Sequence, residues 1–316
     1  MTIQFNKSEP LWVERYRPNT INDCILPKRI KAQFNDIVKE GRIPNLLLSG
    51  GAGTGKTTVS RALCLELKVD WLIINCSEET GIDTLRTKIK DFASTVSFSD
   101  NGKCVVLDEF DYASPNLQAG LRNAMEAYSR TCSFILTCNY PNRIIDALKS
   151  RTVGIAFDIP KDEIPLLQAT FFKRIVAILE NESIKFDQRA VIQLVQKFFP
   201  DNRRVLGQLQ QYGRAGEIDA GILLDLNDIG VEDLIKAMKN KSFKEVKQWC
   251  VENSQNDLSN LYTKLYKALP SQIEGSSIPE AIMIINDAQR YDSIVPDKEL
   301  HCAALAIQLM MSLTFK

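Results

Sequence analysis

Gly50, Gly55, Lys56 and Thr57 fall at the spacing G-x-x-x-x-G-K-[ST], within Leu46-Leu47-Leu48-Ser49-Gly50-Gly51-Ala52-Gly53-Thr54-Gly55-Lys56-Thr57-Thr58. The chemistry of that spacing is phosphate binding. Glycine reaches backbone dihedrals closed to other residues, so successive N–H groups can surround a phosphate, and a helix N-terminus adds its positive dipole end. Lys56 would neutralise the β/γ-phosphates, and the Thr57 hydroxyl would hold Mg²⁺. A chance glycine turn could share the spacing, but not the apolar run before it together with the helical pattern that begins at Thr57. The stretch reads as a nucleotide site.

About fifty residues further on, at a distance usual for a partner to such a loop, Lys103-Cys104-Val105-Val106-Leu107-Asp108-Glu109 is an apolar strand ending in two acids. Asp108 suits a Mg²⁺ ligand of Walker B type, and Glu109 is placed to polarise an attacking water. Read alone, the same residues are a strand running into a charged turn. Ser133-Phe134-Ile135-Leu136-Thr137-Cys138-Asn139 ends in a polar residue at the same edge, and Asn139 suits a sensor of γ-phosphate or water.

Other chemistries are poorly supplied. His301 is the only histidine, which excludes a Ser-His triad and a histidine-based metal site. The eight cysteines form no C-x-x-C pair and several lie in apolar stretches, which predicts reduced, packed thiols in a cytoplasmic protein. Lys+Arg and Asp+Glu both total 39, so no overall field marks a nucleic-acid binder, and DNA contact would need a local basic surface. No apolar run reaches the about 18 residues of a membrane span, and no secretion signal opens the chain. No membrane association is expected.

The elements that must position these residues follow from periodicity. A helix is expected from Lys28 to Glu40, with Gly41 as its stop. Strands are expected at 46–49, 71–75, 103–109, 133–139 and 153–157, alternating with helices, as a parallel doubly wound α/β sheet requires. The helix after the second strand carries Arg86, Lys88 and Lys90, either a solvated face or a contact for DNA phosphates. From Pro160 onward the pattern reads as helical throughout: a three-helix unit to Tyr212, a softer stretch at 213–230, then further helices. The final run, Leu300 to Met311, is apolar enough to be a helix buried either in its own domain or against a neighbouring subunit. Expected domains are 1–158, a nucleotide-binding α/β domain; 159–226, a helical lid; and 227–316, a helical collar.

The ordered set of motifs resembles the AAA+ sliding-clamp-loader ATPases. Trp12-Val13-Glu14-Arg15-Tyr16-Arg17-Pro18, Asn75-Cys76-Ser77-Glu78 with Gly81-Ile82-Asp83, and Leu121-Arg122-Asn123-Ala124-Met125-Glu126 are similar to replication factor C small subunits. Cys24-Ile25-Leu26-Pro27, Phe199-Pro200-Asp201, Asp219-Ala220-Gly221-Ile222-Leu223 and Glu299-Leu300-His301 resemble the large loader subunits of T-even-type phages. The resemblance covers essentially the whole chain. It implies an ATP hydrolase in which Val13, Glu14, Arg15, Tyr16 and Ile25 line the adenine pocket and Gly53, Thr54, Gly55, Lys56, Thr57 and Thr58 hold the phosphates. Thr57 and Asp108 would take Mg²⁺, Glu109 would complete the Walker B pair, and Asn139 would be the first sensor. Arg203 would be the second sensor. Arg151, in Ser150-Arg151-Thr152, matches an arginine finger that reaches the ATP of an adjacent subunit.

The implied partners are a sliding clamp, primer–template DNA, other copies of the chain and one distinct loader subunit, with DNA polymerase served indirectly. Gln118 is matched as a polar relay between sites. Two departures stand out: Thr152 replaces a cysteine, and Thr80-Gly81 replaces a basic residue that holds the catalytic glutamate inactive until DNA binds. An AAA+ motor of the ring-helicase or branch-migration type, and a nucleotide-dependent assembly scaffold, are the alternative functions.

Overall fold

The computed structural model describes residues 9–78, 82–95, 101–214, 216–219, 221–224, 231–253, 259–292 and 294–316, with no side chains for 82–86, 223–224 and 259–260. The chain divides into two compact units, Met1–Leu223 and Leu224–Lys316.

In the first unit, helices α1 (Trp12–Arg15) and α2 (Lys28–Glu40) precede strand β1 (Leu46–Ser49). There follow α3 (Lys56–Glu66), β2 (Asp70–Asn75), α4 (Ile82–Ser94), β3 (Lys103–Asp108), α5 (Pro115–Ala127), β4 (Cys132–Cys138), α6 (Asp146–Lys149) and β5 (Val153–Ala156). Helix α2 stops at Gly41, whose φ of 71° is the left-handed conformation that glycine adopts without penalty. Ser114 caps α5 by accepting from the Leu117 N–H, with Pro115 in the first turn. At the far end of α4, buried Lys103 donates to the carbonyls of Phe92 and Thr95, satisfying terminal groups that the helix leaves open.

The five strands are parallel in the order β2-β3-β4-β1-β5. Successive side chains of a strand point to opposite faces, and both faces are covered. Leu46 and Leu48 pack with Phe34, Val59 and Leu63 of α2 and α3. Leu47 packs on the other side with Ile89, Leu117 and Leu121 of α4 and α5. The chain leaves β1 and β4 in opposite directions across the sheet, so the crevice for a ligand opens at their carboxyl ends.

The same unit continues with α7 (Ile164–Asn181), β6 (Lys185–Phe186), α8 (Gln188–Phe198), α9 (Asn202–Gly213) and β7 (Glu217–Ile218), and α10 (Gly221–Leu224) runs to the division between the units. The expected three helices are present, but the wholly helical reading is corrected. Strands β6 and β7 form a small parallel pair that ties the entry of α8 to the exit of α9. Runs of two residues are too short to show a period. Asp187 and Asp201 cap α8 and α9.

The second unit is helical: α11 (Val231–Lys239), α12 (Phe243–Asn253), α13 (Ser259–Gln272), α14 (Ile278–Tyr291) and α15 (Lys298–Ser312). Its core joins Leu234, Trp249, Leu265, Ile284, Leu305 and Leu309. Helix α15 is amphipathic, with Cys302, Leu305, Ala306 and Leu309 buried while Leu300 and Met311 are 66% and 80% exposed. The expectation of a helix buried within its own domain holds for one face only. All eight cysteines are buried free thiols. Among the described residues, no helix is long and apolar enough to cross a membrane.

Candidate active site

The loop between β1 and α3 is shaped by Gly50, Gly53 and Gly55, at φ of 151°, 75° and 93°. Space as well as torsion demands glycine at two of them. A Cβ on Gly50 would lie 2.9 Å from Phe157 Cβ, and one on Gly53 would lie 2.9 Å from Asp201 Cα and Oδ1. The loop is therefore pressed between the sheet edge and the capped start of lid helix α9.

Lys56 begins α3 and is 8% exposed. Its Nζ donates to the carbonyls of Gly50 and Gly51, both at 2.8 Å, and to Asn139 Oδ1 at 2.9 Å. Burial pulls its pKa below the ordinary 10.5, with Cys138, Asp108 and Asp111 opposing. Thr57 Oγ1 donates to the Asp108 carboxylate, 2.7 Å from Oδ1 and 3.0 Å from Oδ2. Asp108 also accepts from Thr137 Oγ1 at 2.5 Å, and that hydroxyl in turn accepts from the Glu109 N–H at 3.1 Å. Parallel register sets this up, because Leu107 pairs with Leu136 and the next residues stand side by side.

Glu109 leaves the strand at φ 52°, ψ 42°, the left-handed region, which costs a non-glycine residue of order 1 kcal/mol. Such a turn directs the carboxylate away from the strand line. A cleft of about 450 Å³ is lined by Lys56, Thr57, Asp108, Glu109, Thr137, Asn139 and Arg203. Oxygen donors on Thr57 and Asp108 suit a hard cation such as Mg²⁺. The six sequence-predicted residues of this group, contributed by the start of α3, the ends of β3 and β4 and the lid, converge on one space.

A second cleft, about 690 Å³, shares Gly53, Gly55 and Arg203 with the first. Val13, Tyr16, Ile25, Thr54 and Thr58 line it as expected, joined by Arg17, Phe171, Arg174 and Leu206. Glu14 and Arg15 do not line it. Arg15 Nη1 pairs with Glu182 Oε1 at 2.8 Å, and its Nε donates to the Glu9 carbonyl. Glu14 pairs with Arg17, and with Arg61 at 3.4 Å. The helical turn of α1 explains the split: Val13 and Tyr16, three apart, share a face, while Glu14 and Arg15 turn towards other partners.

The N-terminal arm thus packs and lines the cleft at once. Trp12 N–H donates to Gln210 Oε1 at 3.0 Å, and the Tyr16 hydroxyl donates to Glu182. Burial first, and then Glu182, raise the Tyr16 pKa. Arg174, missed in the sequence, is a largely buried guanidinium that donates to the Asp23 carbonyl at 2.8 Å. An arginine within an ordinary lid helix gives no sequence signal of that role. Thr137 did carry one: a hydroxyl at the carboxyl end of the strand, after the apolar run Phe134-Ile135-Leu136 and two residues before Asn139.

Arg151 lines neither cleft. Its Nε and Nη2 donate to Glu126 Oε1 at 2.9 and 2.6 Å, and Nη1 donates to the Ala147 carbonyl at 2.9 Å. Gln118 is buried on α5, donating to the Ala113 and Arg143 carbonyls and accepting from the Ile145 N–H. Lys88 and Lys90 are exposed on α4; the Arg86 side chain, Thr80 and Gly81 lie outside the described residues.

Residues 46–159 match the family model for AAA ATPases. Residues 165–224 and 257–314 match those for the AAA+ ATPase lid domain and the C-terminal domain of the sliding-clamp-loader large subunit. The chain is 38% identical to the sliding-clamp-loader large subunit of Enterobacteria phage T4, covering 99% of this chain and 100% of that protein. It is 37% identical to that of Escherichia phage RB69, with the same coverage. A replication factor C small subunit from Saccharolobus solfataricus is 35% identical, over 73% of this chain and 70% of its own length. Among solved structures, the Thermotoga maritima RuvB Holliday junction branch migration motor superposes with a TM-score of 0.53 at 13% identity, covering 81% of this chain and 80% of that one. That likeness is one of fold alone, so the motor alternative draws no support from it. A P-loop with acidic and polar side chains gathered on one cleft, and relatedness along the full length, lead to one conclusion: the chain belongs to the sliding-clamp-loader large subunits, the AAA+ ATPase subunits of clamp loaders.

Proposed function

We propose that ATP spans the two clefts, its base between Val13, Tyr16 and Ile25 on one side and Phe171 and Leu206 of the lid on the other. Its phosphates meet the N–H groups of residues 53–58 and displace Lys56 Nζ from the loop carbonyls. Mg²⁺, held by Thr57 and Asp108, would neutralise charge on the β- and γ-phosphates. Glu109 orients and polarises the attacking water, Asn139 reads the γ-phosphate, and Arg203 carries nucleotide occupancy to the lid. Arg151 completes the site of an adjacent copy, so hydrolysis depends on assembly.

In this reading ATP holds several copies, with a distinct loader subunit, in a spiral that opens a sliding clamp at primer–template DNA in the cytoplasm. Hydrolysis then releases the clamp for the polymerase. Domain limits near 158 and 226 belong to the same proposal, with the collar serving oligomerisation. DNA is met through phosphates, by Arg86, Lys88 and Lys90, without regard to sequence.

The observation that carries the reading is the separation of roles. Six catalytic and sensing side chains line one cleft, while Arg151 is exposed outside it. Steady-state ATPase activity of the assembled loader, with and without primer–template DNA and clamp, tests it. Joint stimulation by both, lost in Arg151→Ala, is expected. Activity indifferent to both ligands and to Arg151 would return the chain to a stand-alone ATPase.

A further inference from the structure

Helix α5 carries a carboxylate, Glu126, one residue before its end. Negative charge there opposes the helix dipole, so helix stability gives no reason for it. Its side chain instead meets Arg151, which follows the short helix α6. We propose that Glu126 is a positioning residue for hydrolysis at the neighbouring subunit's site, fixing the direction in which Arg151 is presented; this rests on the reading of Arg151 as a finger acting between subunits.

The guanidinium has five N–H donors in a rigid plane. Glu126 Oε1 accepts from Nε and Nη2, at 2.9 and 2.6 Å, and the Ala147 carbonyl accepts from Nη1 at 2.9 Å. Those contacts use three donors. One N–H of Nη2 remains, and the second N–H of Nη1 makes only a long 3.4 Å bond to Ser150 Oγ, which a phosphate oxygen could replace. Two adjacent donors are the fork that binds two phosphate oxygens.

Glu126 therefore holds the guanidinium by one edge and leaves a phosphate-binding edge open. A long arginine side chain at the surface would otherwise sample many rotamers, and the immobilisation would have to be met in the transition state. Arg151 and Glu126 are 37% and 56% exposed, so the ion pair itself adds little stability. Its effect falls on geometry. Helix α5 begins just after the Walker B strand, so the support for the finger is built on the same element that follows a subunit's own Asp108 and Glu109.

The test is single-turnover and steady-state ATP hydrolysis by the assembled loader with clamp and primer–template DNA, for Glu126→Ala, Glu126→Gln, Arg151→Ala and the double Ala variant. Melting temperature and ATPγS affinity are measured beside them. Glu126→Ala is expected to lower kcat about 5- to 20-fold with KM and ATPγS affinity within about 2-fold, since misdirected catalytic groups cost rate rather than binding. Glu126→Gln, which keeps the acceptor oxygen, is expected to stay within about 3-fold of the parent, because the role is directional. Adding Glu126→Ala to Arg151→Ala is expected to cost nothing more. A Glu126→Ala loader as fast as the parent or faster, beside an inactive Arg151→Ala loader, would overturn the proposal while leaving the finger intact. Full activity in Arg151→Ala would overturn the finger itself, and this inference with it.

Discussion

Lys56 Nζ and Asn139 Oδ1 are 2.9 Å apart across the mouth of the P-loop. With the two glycine carbonyls, this contact engages all three ammonium donors. Asn139 is thus linked directly to Lys56. Asn139→Ala is expected to leave ATP affinity within about 3-fold, because phosphate replaces the lost partner, while kcat falls at least about 10-fold. Nucleotide titration with single-turnover hydrolysis checks both. A large loss of affinity with unchanged kcat would make Asn139 a binding group instead.

Gly53 is where the lid touches the P-loop. Gly53→Ala places a Cβ 2.9 Å from Asp201 at a φ of +75°. Strain of order 1–2 kcal/mol is expected from the torsion alone. The α9 N-terminus must also move, carrying Arg203 with it. A lowered melting temperature and at least about 10-fold weaker ATP binding are the expected results. Wild-type affinity would mean that the lid does not need this approach.

Those two sites show what the sequence could and could not carry. Strand ends, glycines and charged termini are local signals, so β1, β3, β4, the P-loop, Asp108 and Asn139 were legible. The directions of Glu14 and Arg15 depend on which face of a four-residue helix meets the lid, and Glu182, the partner of Arg15, lies far along the chain. Arg174 and Thr137 act through tertiary neighbours. The β6–β7 pair involves two-residue strands, and a motif cannot announce them.

The C-terminal unit is expected to have an acid sensitivity of its own. Asp292 accepts from the buried Tyr262 hydroxyl at 2.9 Å and pairs with Lys298 at 3.0 Å. Burial opposes its charged form, but bonds from Lys298 and Tyr262 outweigh that and hold its pKa below the ordinary 3.8. A depressed carboxylate stabilises the fold above its unfolded value and loses that contribution as pH falls through the folded one. Below about pH 4 the parent should lose stability more steeply than Asp292→Asn. At pH 7 that variant should cost about 1–2 kcal/mol through the weakened Lys298 and Tyr262 contacts. Thermal melts at pH 3, 4, 5 and 7 read both; parallel pH profiles would remove Asp292 from the account.

Exposed Lys88 and Lys90 lie on α4. If they meet DNA phosphates, Lys88→Ala and Lys90→Ala should each weaken binding by a similar factor on unrelated sequences. Each should also reduce the slope of log affinity against log salt by about 1. Fluorescence anisotropy across a salt series tests this, and an unchanged slope in both variants would move the contact elsewhere.

The central claim is that each active site is finished by the next subunit, and mixing inactive subunits tests it directly. Glu109→Gln and Arg151→Ala loaders, assembled separately with clamp and DNA, should each hydrolyse ATP at least about 100-fold more slowly than the parent. Loaders assembled from both variants together should recover activity, at those interfaces where an intact Glu109 site faces an intact Arg151. Recovery that is greatest near equal mixing, and vanishes as either variant comes to dominate, is the predicted result. Mixed loaders as inactive as the separate ones, although fully assembled, would contradict a site shared between subunits.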